Sequence, residues 1–128
     1  MHSKYNPILL TGGRGLFGKA FLKKNKKIKK KIFAPPSSKL DITKKEETIK
    51  YLKKITPKLI IHAAALVGIQ NCEKNKLLCK KVNIQGTSNI AEYVKKNNVR
   101  LIYISTDYVF DGKKGNYSEI DSPNPQSV

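Results

Sequence analysis

The stretch Ile8-Leu9-Leu10-Thr11-Gly12-Gly13-Arg14-Gly15-Leu16-Phe17-Gly18 decides how the chain is read. An apolar run passes into glycines at 12, 15 and 18. Lys19-Ala20-Phe21-Leu22-Lys23-Lys24 follows, with apolar and charged residues at helical spacing. The order is strand, glycine turn, helix. The G-x-x-G-x-x-G spacing is a variant of the dinucleotide-binding fingerprint. Gly12 permits a tight turn, Gly15 lets a pyrophosphate approach the backbone, and Gly18 lets the helix pack close on the strand. The helix N-terminus, with Leu16 and Phe17 at its start, offers free N–H groups and a positive dipole end to phosphates.

Working outward, the reading gives a first strand over Pro7 to Thr11 and a first helix over about 15–27. Ile32-Phe33-Ala34 forms a second strand, broken by Pro35-Pro36-Ser37-Ser38. After Leu40-Asp41-Ile42, the sequence Thr43-Lys44-Lys45-Glu46 reads as a capping box, so a helix starts at Thr43. Ile49, Leu52 and Ile55 supply its apolar face. Leu59-Ile60-Ile61 is a third strand running into His62-Ala63-Ala64-Ala65. A long helix follows over about Asn75 to Lys96, with Leu78, Val82, Ile90 and Val94 inward. Leu101-Ile102-Tyr103-Ile104 is a fourth strand, and beyond Asp111-Gly112 the chain is loop-like.

Strands alternating with helices predict an α/β, Rossmann-like, doubly wound parallel sheet with helices on both faces, ending after four to five strands. Ligands of such sheets bind beyond the carboxyl ends of the strands. Here those ends carry Thr11-Gly12-Gly13, Pro35 to Ser38, His62 to Ala65 and Ser105-Thr106-Asp107-Tyr108, so small and hydroxylated residues collect on one rim.

The 128 residues suffice for one domain, and residues 1–128 are read as a single NAD(P)-binding unit. No apolar run is long enough to cross a bilayer, and the start lacks a signal-peptide segment, which predicts a cytoplasmic protein without a membrane partner. Cys72 and Cys79 fit no common zinc spacing. The net charge of +17 comes almost wholly from lysine, since Arg14 and Arg100 are the two arginines. Lysine is densest over Lys23 to Lys31, without interleaved aromatics or a nucleic-acid motif. The charge is therefore read as a solvated surface, one that attracts anionic nucleotides rather than nucleic acid.

Five pieces together resemble the extended short-chain dehydrogenases/reductases, most closely the sugar-nucleotide-reducing branch typified by dTDP-4-dehydrorhamnose reductase. They are Thr11 to Gly18, Leu40 to Thr43, His62 to Ala65, Val82-Asn83, and Ser105-Thr106-Asp107-Tyr108-Val109-Phe110-Asp111-Gly112. The resemblance implies NAD(P)H-dependent reduction of a keto group on a nucleotide-linked sugar, as in dTDP-rhamnose biosynthesis. It implies a nicotinamide cofactor with its pyrophosphate on Gly15, Leu16 and Phe17, its adenine beside Asp41 and Ile42, and its ribose and nicotinamide along Ala63, Ala64 and Ala65. Asn83 joins the cofactor set as a structural residue or part of a proton path. Thr106 is the hydroxyl member of a Ser/Thr-Tyr-Lys catalytic set, with Asp107 near the substrate. His62 is not assigned as a base, and Tyr108 and Phe110 are open between site and core.

One element of the pattern is absent. None of Tyr5, Tyr51, Tyr93, Tyr103, Tyr108 and Tyr117 is followed by lysine four residues on. The chain is accordingly expected to be the N-terminal fragment of a longer enzyme, inactive by itself, with its fourth strand an uncovered sheet edge. The end of the second strand bears no carboxylate to hold a ribose 2′-hydroxyl. Ser37, Ser38 and Lys39 favour a 2′-phosphate instead, hence NADP(H), with NAD(H) the alternative. A non-catalytic nucleotide-binding or regulatory subunit, or another sugar-nucleotide epimerase or dehydratase, are competing readings, and a homodimer of the full-length enzyme is left open.

Overall fold

The computed structural model describes residues 4–27 and 31–126. Ile28, Lys29 and Lys30 of the lysine cluster, the first three residues and Ser127-Val128 lie outside that set. Four parallel strands form one sheet in the order β2-β1-β3-β4: β1 Ile8–Thr11, β2 Ile32–Phe33, β3 Leu59–His62 and β4 Arg100–Tyr103. The order steps outward from β1 in both directions, so the switch point lies between β1 and β3.

Alternation along the strands builds two cores. Ile8, Leu10, Leu59 and Ile61 point to one face and meet Phe21 and Leu22 of α1 (Leu16–Lys24). Leu9 and Ile60 point to the other and meet Leu52 and Ile55 of α2 (Lys45–Ile55), together with Ile90 and Tyr93 of α5 (Thr87–Asn97). Every residue of β1 and β3 is buried, as a strand covered on both faces requires. The Lys45–Glu92 ion pair, 2.7 Å, ties α2 to α5 at the surface. The carboxyl of Glu92 is lowered to about 2 by its bonds to Lys45 and Lys96.

Several expectations are corrected. The first helix ends at Lys24, where Asn25 caps the Phe21 carbonyl through its backbone and its side chain. The capping box at Thr43 does not form. Thr43 donates its hydroxyl to the Asp41 carboxylate at 2.7 Å, and the helix begins two residues later at Lys45. The long helix is present over Lys76 to Asn97 but is not uniform: α4 (Lys76–Cys79) leads into a π-helical segment (Lys80–Gly86) and then into α5. A separate turn of helix, α3 (Ile69–Lys74), precedes it. Leu78 is half exposed rather than inward, whereas Cys79 is the buried residue of α4. The fourth strand is an uncovered edge as expected, with Ile102 46% and Tyr103 50% exposed.

Candidate functional site

At the switch point the strand ends enclose a cavity of about 290 Å³. Gly12, Gly13, Arg14 and Gly15 form one wall, Pro35, Pro36 and Ser37 a second, Asp41, Ile42 and Thr43 a third, and Ala63, Ala64 and Ala65 a fourth. Val82 closes the remaining side. The glycine wall is dictated by contact. Gly12 has φ +72, and a Cβ there would lie 2.4 Å from the Ala63 carbonyl oxygen. A Cβ on Gly18 would lie 2.3 Å from the Gly12 carbonyl oxygen. Gly18 is thus a packing residue beneath the turn, which closes through a Gly15 N–H to Gly12 carbonyl bond of 2.9 Å. Gly15 precedes α1, and no side chain caps that helix, so the amides of Leu16, Phe17 and Gly18 open its N-terminus. The Leu16 side chain itself is almost fully exposed.

Asp41 serves the wall in a second way. Its Oδ1 accepts from the Thr43 amide at 3.0 Å and the Thr43 hydroxyl at 2.7 Å, and these bonds hold its carboxyl below the usual range. Ile42 is fixed from behind by Asn89, whose amide donates to the Ile42 carbonyl at 2.8 Å. The loop after β3 is fixed similarly. Asn83 accepts from the Leu66 amide at 2.8 Å and donates to the Leu66 carbonyl at 3.0 Å. The carboxamide of Asn83 is therefore engaged with the loop and does not line the cavity. The π-helical turn places Val82 in the wall and Asn83 on the loop at once.

Cys72 and Cys79 are buried thiols: Asn83 donates to Cys79 Sγ at 3.2 Å, and Cys72 Sγ donates to the Leu66 carbonyl at 3.4 Å. Burial, then the neighbouring Cys72, pushes the Cys79 thiol up to about 11. Such thiols are unreactive.

Beneath the rim runs a buried polar chain. Thr11 Oγ1 is 2.6 Å from His62 Nδ1, and His62 Nε2 is 3.0 Å from Thr87 Oγ1. The amides of Ala63 and Ala64 each donate to Thr11 Oγ1 at 3.2 Å. Burial lowers the His62 pKa to about 4.

Of the residues singled out from sequence, Gly12, Gly15, Asp41, Ile42, Ala63, Ala64 and Ala65 meet in one cavity. Ser37 joins them, whereas Ser38 and Lys39 are not in the wall. Thr106 and Asp107 follow β4 at the same edge of the sheet but outside this cavity. Thr106 accepts from the Tyr108 amide at 3.2 Å and donates to the Asp107 carboxylate at 3.1 Å, capping a 3-10 turn (Asp107–Val109). Tyr108 is exposed and borders a second, open depression with Gly68, Gln70 and Lys74. Phe110 is half-buried, its ring stacked on Tyr117 at 4.3 Å. Arg14, Thr11 and Val82 went unassigned in the sequence reading. A charged residue between two glycines of the turn was the available signal for Arg14.

The family model described as RmlD substrate binding domain matches residues 6–128. The chain belongs to that family. It is 34% identical over 125 residues to a dTDP-4-dehydrorhamnose reductase of Aggregatibacter actinomycetemcomitans, covering 94% of this chain and 42% of the relative. It is 29% identical over 135 residues to methionine adenosyltransferase 2 subunit beta of Danio rerio, covering 100% of this chain and 41% of the relative. The crystal structure of dTDP-4-dehydrorhamnose reductase from Bacillus anthracis in complex with NADP superposes with a TM-score of 0.87 at 31% identity, over 94% of this chain and 43% of that one. The chain thus spans about two fifths of the length of these relatives.

Proposed function

We propose that this chain carries the dinucleotide site of an NADPH-dependent reductase acting on a nucleotide-linked 4-keto-6-deoxy sugar. The observation that carries the proposal is the convergence of the Gly12–Gly15 turn, Asp41-Ile42 and Ala63 to Ala65 on one cavity at the switch point. The cradle fits the group: a side chain at Gly12 would collide with the Ala63–Ala64 backbone just after β3, and the uncapped start of α1 follows the same turn. The pyrophosphate sits on the amides of Gly15, Leu16 and Phe17. Adenine lies against Ile42 with Asp41 and Thr43 beside it, and the alanine wall admits the flat ribose and nicotinamide. When bound, the cofactor supplies a hydride to the sugar carbonyl.

The chain's own residues do the remainder that this half of the site requires. Thr106 serves as hydroxyl donor toward the carbonyl oxygen by turning its hydrogen from the Asp107 carboxylate to the substrate, and Asp107 is assigned to the substrate side, beside Tyr108. None of the six tyrosines has a lysine four residues on, so these residues supply binding and polarisation but not the Tyr/Lys acid pair.

NADPH is favoured over NADH by Arg14. Arg14 lines the cavity together with Ser37, and the wall formed by Pro35, Pro36 and Ser37 contains no carboxylate. A guanidinium there suits a ribose 2′-phosphate. Fluorescence titration of the chain with both cofactors tests this. NADPH binds the more tightly, and Arg14→Ala weakens NADPH about tenfold, the loss of one charge-assisted bond, while leaving NADH nearly unchanged. Equal affinity for the two cofactors, or equal losses in the variant, contradicts the choice.

A second reading, a non-catalytic nucleotide-binding subunit, is favoured by the likeness to the Danio rerio subunit. It shares the cofactor prediction and differs in turnover. Ketone-dependent NADPH oxidation by a form that includes the Tyr/Lys pair supports the reductase, and tight binding without turnover in that form supports the subunit.

A further inference from the structure

The atoms around Thr11 leave one place for each hydrogen. Thr11 Oγ1 receives the Ala64 amide, and it receives the Ala63 amide, which it shares with the Thr11 carbonyl at 3.3 Å. Both lone pairs of the hydroxyl oxygen are thereby engaged, and neither amide can reverse its role. The 2.6 Å contact to His62 Nδ1 needs a hydrogen, and the one remaining is the hydroxyl's own. So Thr11 donates and Nδ1 accepts. The ring proton then stands on Nε2 and is donated to Thr87 Oγ1, 3.0 Å away. His62 is fully buried, its ring stacked on Tyr103 at 5.5 Å, and no carboxylate is among its bonded or stacked partners to stabilise a second ring proton.

We infer that His62 is a positioning residue held as the single neutral Nε2–H tautomer, which turns the Thr11 hydroxyl so that its oxygen anchors the Ala63–Ala64 wall of the dinucleotide cavity to β1. This rests on the reading of the cavity as a dinucleotide site. The chain of bonds joins three elements at one point: the end of β1 at Thr11, the end of β3 at His62, and the start of α5 at Thr87. Any other tautomer presents Thr11 Oγ1 with three donors for two lone pairs, and one alanine amide must be released. The wall against which the flat part of the ligand lies would then move away from the glycine turn.

The tautomer is read on the unaltered chain by 15N NMR of labelled histidine at neutral pH. The expected spectrum has Nε2 protonated and Nδ1 bare. A protonated Nδ1, in either the neutral ring or the imidazolium, overturns the inference. The linkage is read by hydrogen exchange of the Ala63 and Ala64 amides. Thr11→Val and His62→Gln, which lacks an acceptor at the Nδ1 position, lower their protection and weaken NADPH about tenfold. Thr11→Ser and His62→Asn, whose amide oxygen replaces Nδ1, restore both to within about threefold. Unchanged protection in Thr11→Val and His62→Gln, or no recovery in the conservative pair, also overturns it. Should the unaltered chain bind no dinucleotide, the reading of the cavity fails, while the tautomer and the exchange rates still decide the hydrogen-bond chain.

Discussion

Two ends of the same sheet are built differently. Around β1 and β3 every strand residue is buried, and each strand end is tied to a helix or loop by a short polar bond: Thr11 to His62, His62 to Thr87, Asn83 to Leu66, Asn89 to Ile42. Around β4 the strand is a half-exposed edge. The loop beyond it is ordered by two carboxylates. Asp111 accepts from Tyr117, the Lys113 amide and Asn124, and Asp121 accepts from Lys114 and Ser118. The first region has a fixed cavity because apolar packing sets its backbone. The second holds its candidate residues, Thr106 and Asp107, on an exposed turn capped by the Thr106 hydroxyl. On the proposed function, the half of the site that binds the dinucleotide is built on buried strands, and the half assigned to the substrate lies on an exposed turn.

The sharpest way to break that contrast uses two glycines with nearly equal dihedrals. Gly12 has φ +72 with the Ala63 carbonyl in the way, whereas Gly112 has φ +76 with nothing within 4 Å. Gly12→Ala combines backbone strain with collision and is expected to cost about 3–5 kcal/mol. Gly112→Ala carries the strain alone, about 1–2 kcal/mol. Urea unfolding of the two variants measures the difference, and equal losses would remove the distinction between the regions.

The same comparison made with apolar side chains gives a similar separation. Leu9 lies fully buried in β1, and Leu9→Ala should cost about 2–5 kcal/mol. Ile102 lies on the open edge, and Ile102→Ala should stay within about 1 kcal/mol. Thermal melts of both decide it. Ile102→Lys is further expected to reduce self-association of the chain in sedimentation, since a charge on an exposed strand blocks edge pairing.

Acid separates the regions by pH. His62 is depressed in the fold, to about 4 from an ordinary value near 6.5, so the unfolded chain binds the extra proton first. The stability of the rim is complete above about pH 6.5 and falls as pH drops toward 4, by up to about 3 kcal/mol. Asp111 is depressed to about 2, chiefly by its bond from Tyr117. Its contribution is complete above the ordinary carboxyl range and is lost only as pH falls through about 2. Amide exchange followed against pH should therefore loosen Ala63 and Ala64 before Lys113 and Ser118. The reverse order contradicts the assignment.

Much of the first region was legible beforehand. Two apolar runs marked the buried strands, glycine spacing marked the turn, and runs of small residues marked the strand ends. These features are local, and their physics is independent of what they meet. What could not be read depended on which partner a side chain meets, whether near in the chain or far along it. Thr43 matched a capping box, but Asp41, two residues before it, takes its hydroxyl, and α2 begins two residues later at Lys45. The π-helical segment has no periodicity of its own, and its form goes with Asn83 reaching Leu66 across the loop after β3. Leu78 followed helical spacing yet is half exposed. Thr11 looked like the last strand residue, and its role as acceptor for two alanine amides appears only when β3 lies beside β1. Arg14 was visible in the turn, but its place beside Ser37 in the lining of one cavity was not.

The central claim is that the cavity between β1 and β3 receives a dinucleotide. The most direct measurement is an NMR titration of the 15N-labelled chain with NADPH. Saturable shifts should concentrate on the amides of Gly15, Leu16, Asp41, Ile42, Ala63 and Ala64 and leave Gly112 and Gly115 in place. Shifts spread over the lysine-bearing helix surfaces, or none at the glycine turn, would contradict the account.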